Sequence, residues 1–592
     1  MSEAAGPGRS GRELWIVLAV WLAVSAATVW LGWSSVMQRR FPDPDDAMRL
    51  LQVRDWLGGQ SWFDVTQYRL NPPFGAPMHW SRLVDLPIAA VILLFRPLVG
   101  ADGAEAAALI IVPLLTLGVV MLLVQRIGAR LMEGPASLLA AVAAPASLGV
   151  RQQIRLMRID HHGWQIALAL LGILAVLDPR PRRSGVLAGL AIGLWLNISI
   201  EGLPFAAAIG VWLGLAWLAD PQNGERLKAY LGSLAGVSVA LFALTHAPAA
   251  WTAHPHDVLT SAHLAGFAAA FCCCQFAVRP SVADWRWRLA ALGATGAVAL
   301  LVMFAVDPHW VQAPFGSLDP VVKRLWYDGI LEGQPVWHLG AGQAATQMAQ
   351  PVVGLIGALI AIRTSSEAQR DGWKAYAFML CAIAFASVLV VREASIASVI
   401  ALPGAAFLCE FGFARARRMS LMPARVLATG AAALVMVPAF ALSAATVSSG
   451  PARTMPNADS GPCFSRSQLA PLASLPGGII AAPLDITPAI LAETPHRAIG
   501  SSHHRNQAGI RDIGLLFTGT AAQEREILLR RNADYLVFCP RDGEAQWYAS
   551  HAPRGLAARL NAGRTPGWLE PIALKGLGRL RVWRVRRDLL TV

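Results

Sequence analysis

The sequence predicts a polytopic α-helical membrane protein that carries a small α/β domain at its C-terminus. Hydrophobic residues make up 55% of the 592 residues, charged residues only 15%, and the mean hydropathy is +0.47. This composition is far more apolar than that of a soluble globular protein. We expect a membrane domain over residues 1–446 and an extracytoplasmic α/β domain over residues 447–592, where the composition is that of a soluble protein.

The basic residues give the chain a formal net charge of +13, and their placement indicates topology. They cluster in short loops between apolar segments, as cytoplasmic loops of membrane proteins do, so we expect no nucleic-acid partner. The first apolar run, from about residue 13 to residue 34, follows Arg9 and Arg12 and lacks a small-residue cleavage site. We expect it to be a retained first helix with a cytoplasmic N-terminus.

Further apolar segments predict additional crossings, which gives about thirteen in total. Residues 86–99 form a short segment that carries Arg96, so we interpret it as an interfacial or re-entrant helix. With that assignment, the basic loops fall on the cytoplasmic side. The crossings after the first lie near residues 104–125, 134–149, 164–178, 185–199, 203–219, 229–247, 262–279, 287–306, 348–362, 375–391, 394–411 and 424–446.

Four segments then fall on the opposite, extracytoplasmic side. They are the loop 36–85, the cluster at 150–163, the loop 307–347 and the region after Thr446. In the first loop, Met48, Leu51 and Trp56 have the spacing of a short amphipathic helix that lies behind a run of carboxylates. Ionisable residues that gather beside a membrane line an aqueous cavity or bind a ligand.

The C-terminal region shows the patterns of a small α/β domain. Apolar runs at residues 479–484 and 533–539 predict buried strands, and residues 524–531 predict a helix. Cys463 and Cys539 both lie in this region, whereas the other cysteines lie in apolar segments. If the domain faces an oxidising compartment, these two cysteines are candidates for a disulfide.

Three extracytoplasmic segments carry side chains that suit a divalent metal ion. Carboxylate oxygens and an imidazole nitrogen are ligands for Mn²⁺ or Mg²⁺, and such an ion neutralises a leaving phosphate. A remaining carboxylate is able to orient or activate an acceptor nucleophile. Arg392, at the outer end of a crossing, is a candidate partner for a phosphate. The candidate side chains in the three segments are Asp43, Asp45, Asp46, Asp160, His162 and Glu332.

Each candidate also has a simpler interpretation. The first-loop aspartates are typical of a solvated turn that caps a helix. Histidines at a helix mouth need hold no metal, and a loop glutamate is more often exposed than functional. Arg392 could extend to the membrane surface or pair with Glu393. The functional interpretation depends on the placement of all the acidic clusters on one side of the membrane.

Taken together, these motifs resemble the catalytic subunits of oligosaccharyltransferases, which have the GT-C fold. The archaeal and bacterial single-subunit type is the most similar. The resemblance rests on the number of crossings, the acidic first outer loop, Asp160-His161-His162 in the second and Glu332-x-Gln-Pro in the fifth. It covers roughly the membrane half of the chain. It implies a GT-C membrane domain, a divalent metal cofactor and a lipid-linked sugar donor.

The resemblance also implies roles for individual residues. The family's fifth-loop glutamate falls on Glu332, and its phosphate-contacting arginine falls loosely on Arg392. Asp43, Asp45 and Asp46 are all candidates for the family's catalytic aspartate in the first loop. The choice stays open, because aligning the chain on different neighbouring residues selects a different one of the three. The implied set is Asp45, Asp46 and Glu332 as catalytic residues, and Asp43, Asp45, Asp160 and His162 as metal ligands.

One departure from the family concerns the acceptor. The Trp-Trp-Asp-Tyr-Gly signature, which reads the acceptor sequon in the family, does not occur in the C-terminal region of this sequence. The nearest feature there is Ser-Ser-His-His-Arg-Asn, at residues 501–506. The acceptor therefore stays open among a protein, a glycan and a lipid.

We expect an inverting, metal-dependent glycosyltransferase in a bacterial plasma membrane, with its C-terminal domain in the periplasm. It would transfer a sugar or oligosaccharide from a polyprenyl-phosphate-linked donor and would contact membrane lipid. A transporter or flippase for a lipid-linked precursor is one alternative, and it would show inverted repeats and paired charges within the crossings. A metal-independent GT-C transferase that acts on a lipid or glycan is another, and it would use Asp45 and Asp46 alone.

Overall fold

A computed structural model describes residues 7–279, 284–311, 316, 318–439, 442 and 463–590. The first part of the chain is a bundle of helices, and the last part is a sheet covered by helices. The predicted domain boundary between residues 446 and 447 lies outside the described residues. The end of the crossing predicted at 424–446 lies outside them as well.

Long apolar helices dominate the described part of the chain, as expected for a multi-pass membrane protein. Seven of them are long and apolar enough to cross a membrane, and a pair bent by 51° makes an eighth. Shorter apolar helices do not meet that length, so the number of about thirteen stays a prediction. Two short helices, Pro44–Leu57 and Pro320–Leu325, lie in loops of this part. Its other helices are Pro7–Met37, Arg82–Leu131, Ala136–Ala143, Leu148–Gln153, His162–Val176, Pro181–Ile198, Leu203–Ala219, Gly224–Thr245, Ser261–Ala277, Trp285–Val306, Ala341–Thr364, Glu367–Leu389, Ala394–Ile400, Leu402–Ala416 and Met422–Leu434.

The predicted interfacial segment, residues 86–99, is the first arm of the bent helix Arg82–Leu131. The helix breaks at Gly100, where φ is 73° and ψ is 178°, a conformation that only glycine adopts easily. Leu93 and Leu98 of this arm are exposed on the protein surface. A helix is therefore present where the sequence predicts one, and its interfacial position stays a prediction.

The apolar segment at 134–149 is not a single helix. Helix Ala136–Ala143 continues into the 3-10 turn Ala144–Ala146, and a new helix, Leu148–Gln153, begins after Ser147. The Ser147 hydroxyl caps this new helix. An average of hydropathy does not reveal such a break, because the residues on both sides of the capping serine are apolar.

The bent pair of helices packs closely against a neighbour through glycines. Gly357 of helix Ala341–Thr364 lies against Gly404 of helix Leu402–Ala416, and a Cβ at Gly357 would be 1.9 Å from the Gly404 carbonyl oxygen. Small residues permit such close helix contacts in membranes. Since Arg392 lies in the first turn of the bent pair Val391–Ile400 and Leu402–Ala416, this contact helps to fix its position.

The first outer loop contains the predicted short helix, at Pro44–Leu57. Asp43 is its N-cap, and the Asp43 carboxylate accepts a hydrogen bond from the backbone N–H of Asp45 at 3.0 Å. Met48 and Leu51 are fully buried and anchor the helix. The acidic first turn is therefore fixed at one end of a rigid element.

The C-terminal domain is built on a five-stranded mixed sheet. In spatial order its strands are Arg497–Ala498, Ile479–Ala481, Tyr535–Phe538, Arg581–Val585 and Leu569–Pro571. The first three are parallel and the last two pair antiparallel, which confirms a small α/β domain with both predicted strands at its centre. The helices around the sheet are Arg466–Leu469, Thr487–Glu493, Gln507–Thr518, Ala521–Arg530, Gly543–His551 and Leu556–Asn561.

A disulfide joins Cys463 to Cys539, as the sequence suggested. Both cysteines are buried in a cluster that covers one face of the sheet. The bond therefore ties the first described residue of the domain to the end of its central strand.

The sheet of the C-terminal domain extends onto the first outer loop. Leu70 of that loop forms a parallel bridge with Ala498 of the edge strand. The Arg69 guanidinium donates to the backbone oxygens of Thr494 at 2.6 Å and Leu491 at 2.8 Å. These contacts hold the domain beside the loop that carries the first-loop aspartates.

Candidate active site

A cavity of about 600 Å³ lies between the outer connections of the helices and the C-terminal domain. Five of the predicted site residues line it: Asp43, Asp45, His162, Glu332 and Arg392. The other two, Asp46 and Asp160, lie behind its wall and are 0% and 3% exposed. The fold thus gathers the predicted residues in one place and divides them into a lining group and a buried group.

Asp46 joins the first outer loop to the second. Its Oδ1 accepts hydrogen bonds from the backbone N–H groups of Ile159 at 2.8 Å and Asp160 at 3.2 Å. Burial raises the pKa of Asp46 well above its ordinary value, although Arg158 opposes this. The position of this carboxylate indicates that it orients the second loop.

Arg158 is the counter-ion of the buried group. Its guanidinium is 2.8 Å from Asp43, 3.3 Å from Asp46 and 3.0 Å from Asp160. Although burial disfavours the cation, these carboxylates raise the pKa of Arg158 well above its ordinary value. One arginine therefore offsets part of the repulsion among three clustered acids.

Asp160 orients the imidazole of His162. Asp160 Oδ1 accepts the backbone N–H of His162 at 3.1 Å, and Oδ2 lies 2.8 Å from His162 Nδ1. Burial disfavours the imidazolium, but the charge of Asp160 raises the pKa of His162 to about 9, so a metal ion that binds Nε2 would displace a proton from the ring. His162 Nε2 is buried and has no hydrogen-bond partner among the described residues. A carboxylate bound to one ring nitrogen while the other stays available is the usual arrangement of a metal-binding histidine.

Two further residues, His161 and Glu201, join His162 in a group that suits a metal. One ligand atom from each of the three lies within 4.8 Å of the others. His161 Nδ1 is buried and has no partner among the described residues. Burial lowers the pKa of His161 to about 3, so its ring is neutral and able to bind a cation. The side chains present therefore fit a divalent metal ion.

Arg392 bridges two glutamates on another wall of the cavity. It donates to Glu201 at 2.7 Å and to Glu332 at 2.8 Å, and does not rely on the adjacent Glu393. The backbone N–H of Val391 donates to the oxygen of Gln334 at 3.1 Å, which fixes the Glu-x-Gln-Pro segment beside Arg392. Two of the predicted site residues, Glu332 and Arg392, are therefore in direct contact.

A smaller, basic pocket of about 240 Å³ adjoins this wall. Arg151, Arg155, Arg158 and Arg392 line it together with Asp43 and Glu332. Arg151 and Arg155 are exposed and form no ion pair with the described acidic residues. Unpaired guanidinium groups beside a cavity are suited to bind phosphate.

The C-terminal domain supplies part of the cavity wall through residues 501–506. His503 Nε2 lies 3.3 Å from Asp45 Oδ1. Burial raises the pKa of Asp45, but the hydrogen bond and charge of His503 lower it overall, so the carboxylate stays ionised. Next to it, His504 and Arg505 bind Asp257 at 2.7 Å and 2.8 Å, which ties the domain to another outer connection.

Four residues of the site were not predicted from the sequence: Glu201, His161, Arg158 and His503. Glu201 carried the clearest signal, because an acidic residue at the end of an apolar segment usually has a function. His503 belongs to the run 501–506, which the sequence offers only as the feature nearest to the absent Trp-Trp-Asp-Tyr-Gly signature. Arg158 and His161 lie beside Asp160 and His162 in the sequence and contact them. Glu201 and His503, in contrast, reach the site through contacts between distant segments of the chain.

No family model matches the chain, and no curated protein matches it in sequence. Solved structures of the oligosaccharyltransferase of Archaeoglobus fulgidus are similar in fold. The archaeal enzyme AglB in complex with an inhibitory peptide and dolichol-phosphate has a TM-score of 0.64 and 15% identity, over 94% of this chain and 72% of that one. The apo form has a TM-score of 0.64 and 17% identity, over 94% of this chain and 73% of that one. A complex with Zn and sulfate has a TM-score of 0.62 and 15% identity, over 94% of this chain and 72% of that one. At this identity the similarity shows the fold alone, and it confirms the predicted likeness in fold to the catalytic subunits of oligosaccharyltransferases.

Proposed function

We propose that this protein is a membrane glycosyltransferase that uses a sugar or oligosaccharide linked to a polyprenyl phosphate. The observation that carries the proposal is the shared cavity, which Asp45, His162, Glu332 and Arg392 line from four separate outer connections. The dolichol-phosphate in one structure of the archaeal enzyme and the acceptor peptide tethered in another support a lipid-linked donor and an acceptor for this chain.

The donor phosphate would bind at Arg392 and in the adjoining basic pocket. A phosphate dianion would replace Glu332 as a partner of the Arg392 guanidinium, since both offer oxygen acceptors. Arg151 and Arg155 would add charge on the same side. The lipid chain would then extend along the apolar helices beside the pocket.

A divalent metal ion, Mn²⁺ or Mg²⁺, would neutralise the leaving phosphate. We propose that Asp45 and His162 hold it, because both line the cavity and His162 Nε2 is buried without a partner. Asp43 and Glu201 also line the cavity, and a Glu201 oxygen lies within 4.8 Å of ring nitrogens of His161 and His162. Asp160 and Asp46 would then act as positioning residues from behind the wall, although the family pattern assigns Asp160 to the metal and Asp46 to catalysis.

The reaction would be a direct displacement at the anomeric carbon of the donor sugar. The acceptor nucleophile forms a bond to this carbon, and the bond to the phosphate oxygen breaks with its electron pair on the phosphate. Glu332 would take the acceptor proton, since its side chain is 45% exposed and faces the cavity. Attack opposite the leaving group inverts the configuration.

The disulfide between Cys463 and Cys539 supports an oxidising compartment, which fits a periplasmic domain in a bacterial plasma membrane. The cavity would therefore face the periplasm. Its charged lining comes from connections between helices rather than from the middle of the long apolar helices, which does not favour a transporter. The acceptor class stays open among protein, glycan and lipid.

The test is cleavage of the sugar–phosphate bond by the purified full chain. Lipid-linked sugars labelled in the sugar would be extracted from membranes of the source cells and incubated with the protein and the remaining membrane extract. We expect label to leave the polyprenyl phosphate, and the rate to fall at least about 100-fold in Asp45→Asn and His162→Ala. Asp371→Asn, which changes an exposed acid far from the cavity, is the control.

Unchanged label on the carrier with the wild-type protein would contradict the proposal and would favour a transporter. Cleavage that persists in His162→Ala and after removal of divalent metals, but is lost in Asp45→Asn, would favour the metal-independent transferase.

A further inference from the structure

The C-terminal domain reaches the candidate metal site through two short polar contacts, an inner hydrogen bond and an outer ion-pair contact. Ser501 Oγ lies 2.8 Å from His503 Nδ1, and His503 Nε2 lies 3.3 Å from Asp45 Oδ1. Ser501 and His503 are 0% and 3% exposed, whereas the Asp45 side chain is 32% exposed and faces the cavity. The two contacts thus run from the interior of the domain to the carboxylate at its surface.

The roles of the two contacts follow from the groups involved. An ionised carboxylate only accepts, so the 3.3 Å contact with Asp45 favours a proton on His503 Nε2. When the proton is on Nε2 alone, Nδ1 accepts from the Ser501 hydroxyl, which favours this tautomer. Ser501 therefore acts on Asp45 through the imidazole.

The imidazole is also held by packing. The His503 ring lies edge-on to Trp80 of the first outer loop, with 5.0 Å between ring centroids. Trp80 is 3% exposed, and the Arg49 guanidinium covers its ring at 4.5 Å. On the other side, the Asn506 side chain accepts from Gly509 at 3.1 Å and fixes the end of the loop. The ring therefore has little freedom to turn away from Asp45.

We propose that His503 is a positioning residue that orients Asp45 for metal binding, so that the C-terminal domain completes the metal site. This inference rests on the proposed function, which makes Asp45 a metal ligand. His503 holds Oδ1, and Oδ2 has no hydrogen-bond donor among the described residues and remains for the ion. The domain thus contributes to the reaction centre by a residue unrelated to the sequon-reading signature of the family.

Two substitutions at position 503 separate orientation from packing. The amide nitrogen of glutamine in His503→Gln reaches about as far as Nε2 and still donates to Asp45. The shorter side chain in His503→Asn reaches only as far as Nδ1, so it keeps the Ser501 contact and loses Asp45. Ser501→Ala leaves the ring in place but removes the group that orients it.

The experiment measures Mn²⁺ binding to the purified full chain by electron paramagnetic resonance, together with thermal unfolding. We expect His503→Asn to weaken Mn²⁺ binding about tenfold or more, the effect usual for a residue that orients a ligand. His503→Gln should bind close to the wild-type affinity, Ser501→Ala should lie between the two, and the unfolding temperatures should agree.

The outcomes distinguish the inference from the proposed function. If Asp45→Asn weakens Mn²⁺ binding and His503→Asn does not, the inference is overturned and the metal site stands. If His503→Gln and His503→Asn lose binding equally and both unfold at lower temperature, His503 only packs the loop and the inference is overturned. If Asp45→Asn binds Mn²⁺ as the wild type does, the proposed metal site itself fails.

Discussion

Two arginines surrounded by carboxylates serve different purposes on the outer side of this protein. The Arg158 side chain is 5% exposed and contacts three aspartates at 2.8, 3.3 and 3.0 Å. The Arg392 side chain is 19% exposed, and its partners Glu201 and Glu332 are 25% and 45% exposed. The first cluster is closed except where Asp43 and Arg158 reach the walls of the cavity and of the basic pocket, and the second opens into the cavity.

The difference in burial determines which cluster is able to exchange partners. A buried charge that loses its partner has no water to replace it, so the Arg158 cluster is a scaffold. A charge at the edge of a cavity loses less when a partner leaves, since water or a ligand takes its place. Arg392 is therefore suited to give up a glutamate for a phosphate, and Arg158 is not.

The largest expected effect is on the closed cluster. Arg158→Met would leave three neighbouring carboxylates without their counter-ion, and we expect a loss of about 3–5 kcal/mol in the free energy of unfolding. Thermal unfolding in detergent measures it. Arg155→Met, three residues earlier and exposed, is the matched control and should unfold as the wild type does. Equal stability of the two variants would show that the cluster is not a scaffold.

Arg392→Met should break the open cluster without unfolding the protein. We expect binding of polyprenyl phosphate to weaken about 10- to 100-fold, the range of one or two charge-assisted hydrogen bonds. Binding to the purified protein would be followed by titration with the short-chain monophosphate. Arg363→Met, at the last turn of a helix on the predicted cytoplasmic side, is the control. Unchanged binding in Arg392→Met would remove Arg392 from the donor site.

Glu332→Gln sharpens the comparison, because it separates binding from chemistry. The substitution removes a competing anion from Arg392, so binding of polyprenyl phosphate should stay equal or improve. Sugar release should nevertheless fall at least about 100-fold, since the amide cannot take the acceptor proton. A parallel loss of binding and release would mean that Glu332 only supports Arg392.

The smallest effect is expected for an ion pair that is open to solvent. Lys374 and Asp371 are 2.8 Å apart, but their side chains are 49% and 85% exposed. Water screens such a pair, so Asp371→Asn should change neither thermal unfolding nor sugar release measurably. A clear change in thermal unfolding or in sugar release would show that the exposure of an ion pair does not determine how large an effect its loss has.

The sequence predicted the elements that depend on local pattern. The helix at Pro44–Leu57, the central strands and the disulfide follow from apolar spacing, capping residues and compartment. The break at Ser147 was missed, because hydropathy averages over a cap. The number of crossings also stays open, since helices such as His162–Val176 are shorter than a bilayer requires.

The site was predicted less completely than the fold. Asp160 and His162 are two residues apart, so a short sequence motif is enough to predict that they lie together, and they are 2.8 Å apart. Arg392 and Glu201 are 191 residues apart, and only the packing of separate helices brings them to 2.7 Å. The same holds for His503 and Asp45, which lie in different domains. Burial, which divides Asp45 from Asp46, is likewise a property of the fold.

The most direct test of the account is whether the metal and the donor phosphate occupy the same cavity. Phosphorus NMR relaxation of polyprenyl phosphate would be measured with the purified protein and bound Mn²⁺, because a paramagnetic ion accelerates relaxation only of nearby nuclei. We predict accelerated relaxation with the wild type and its loss in Arg392→Met, with Mn²⁺ still bound. Equal relaxation in the two proteins at saturating Mn²⁺ would contradict the proposed site.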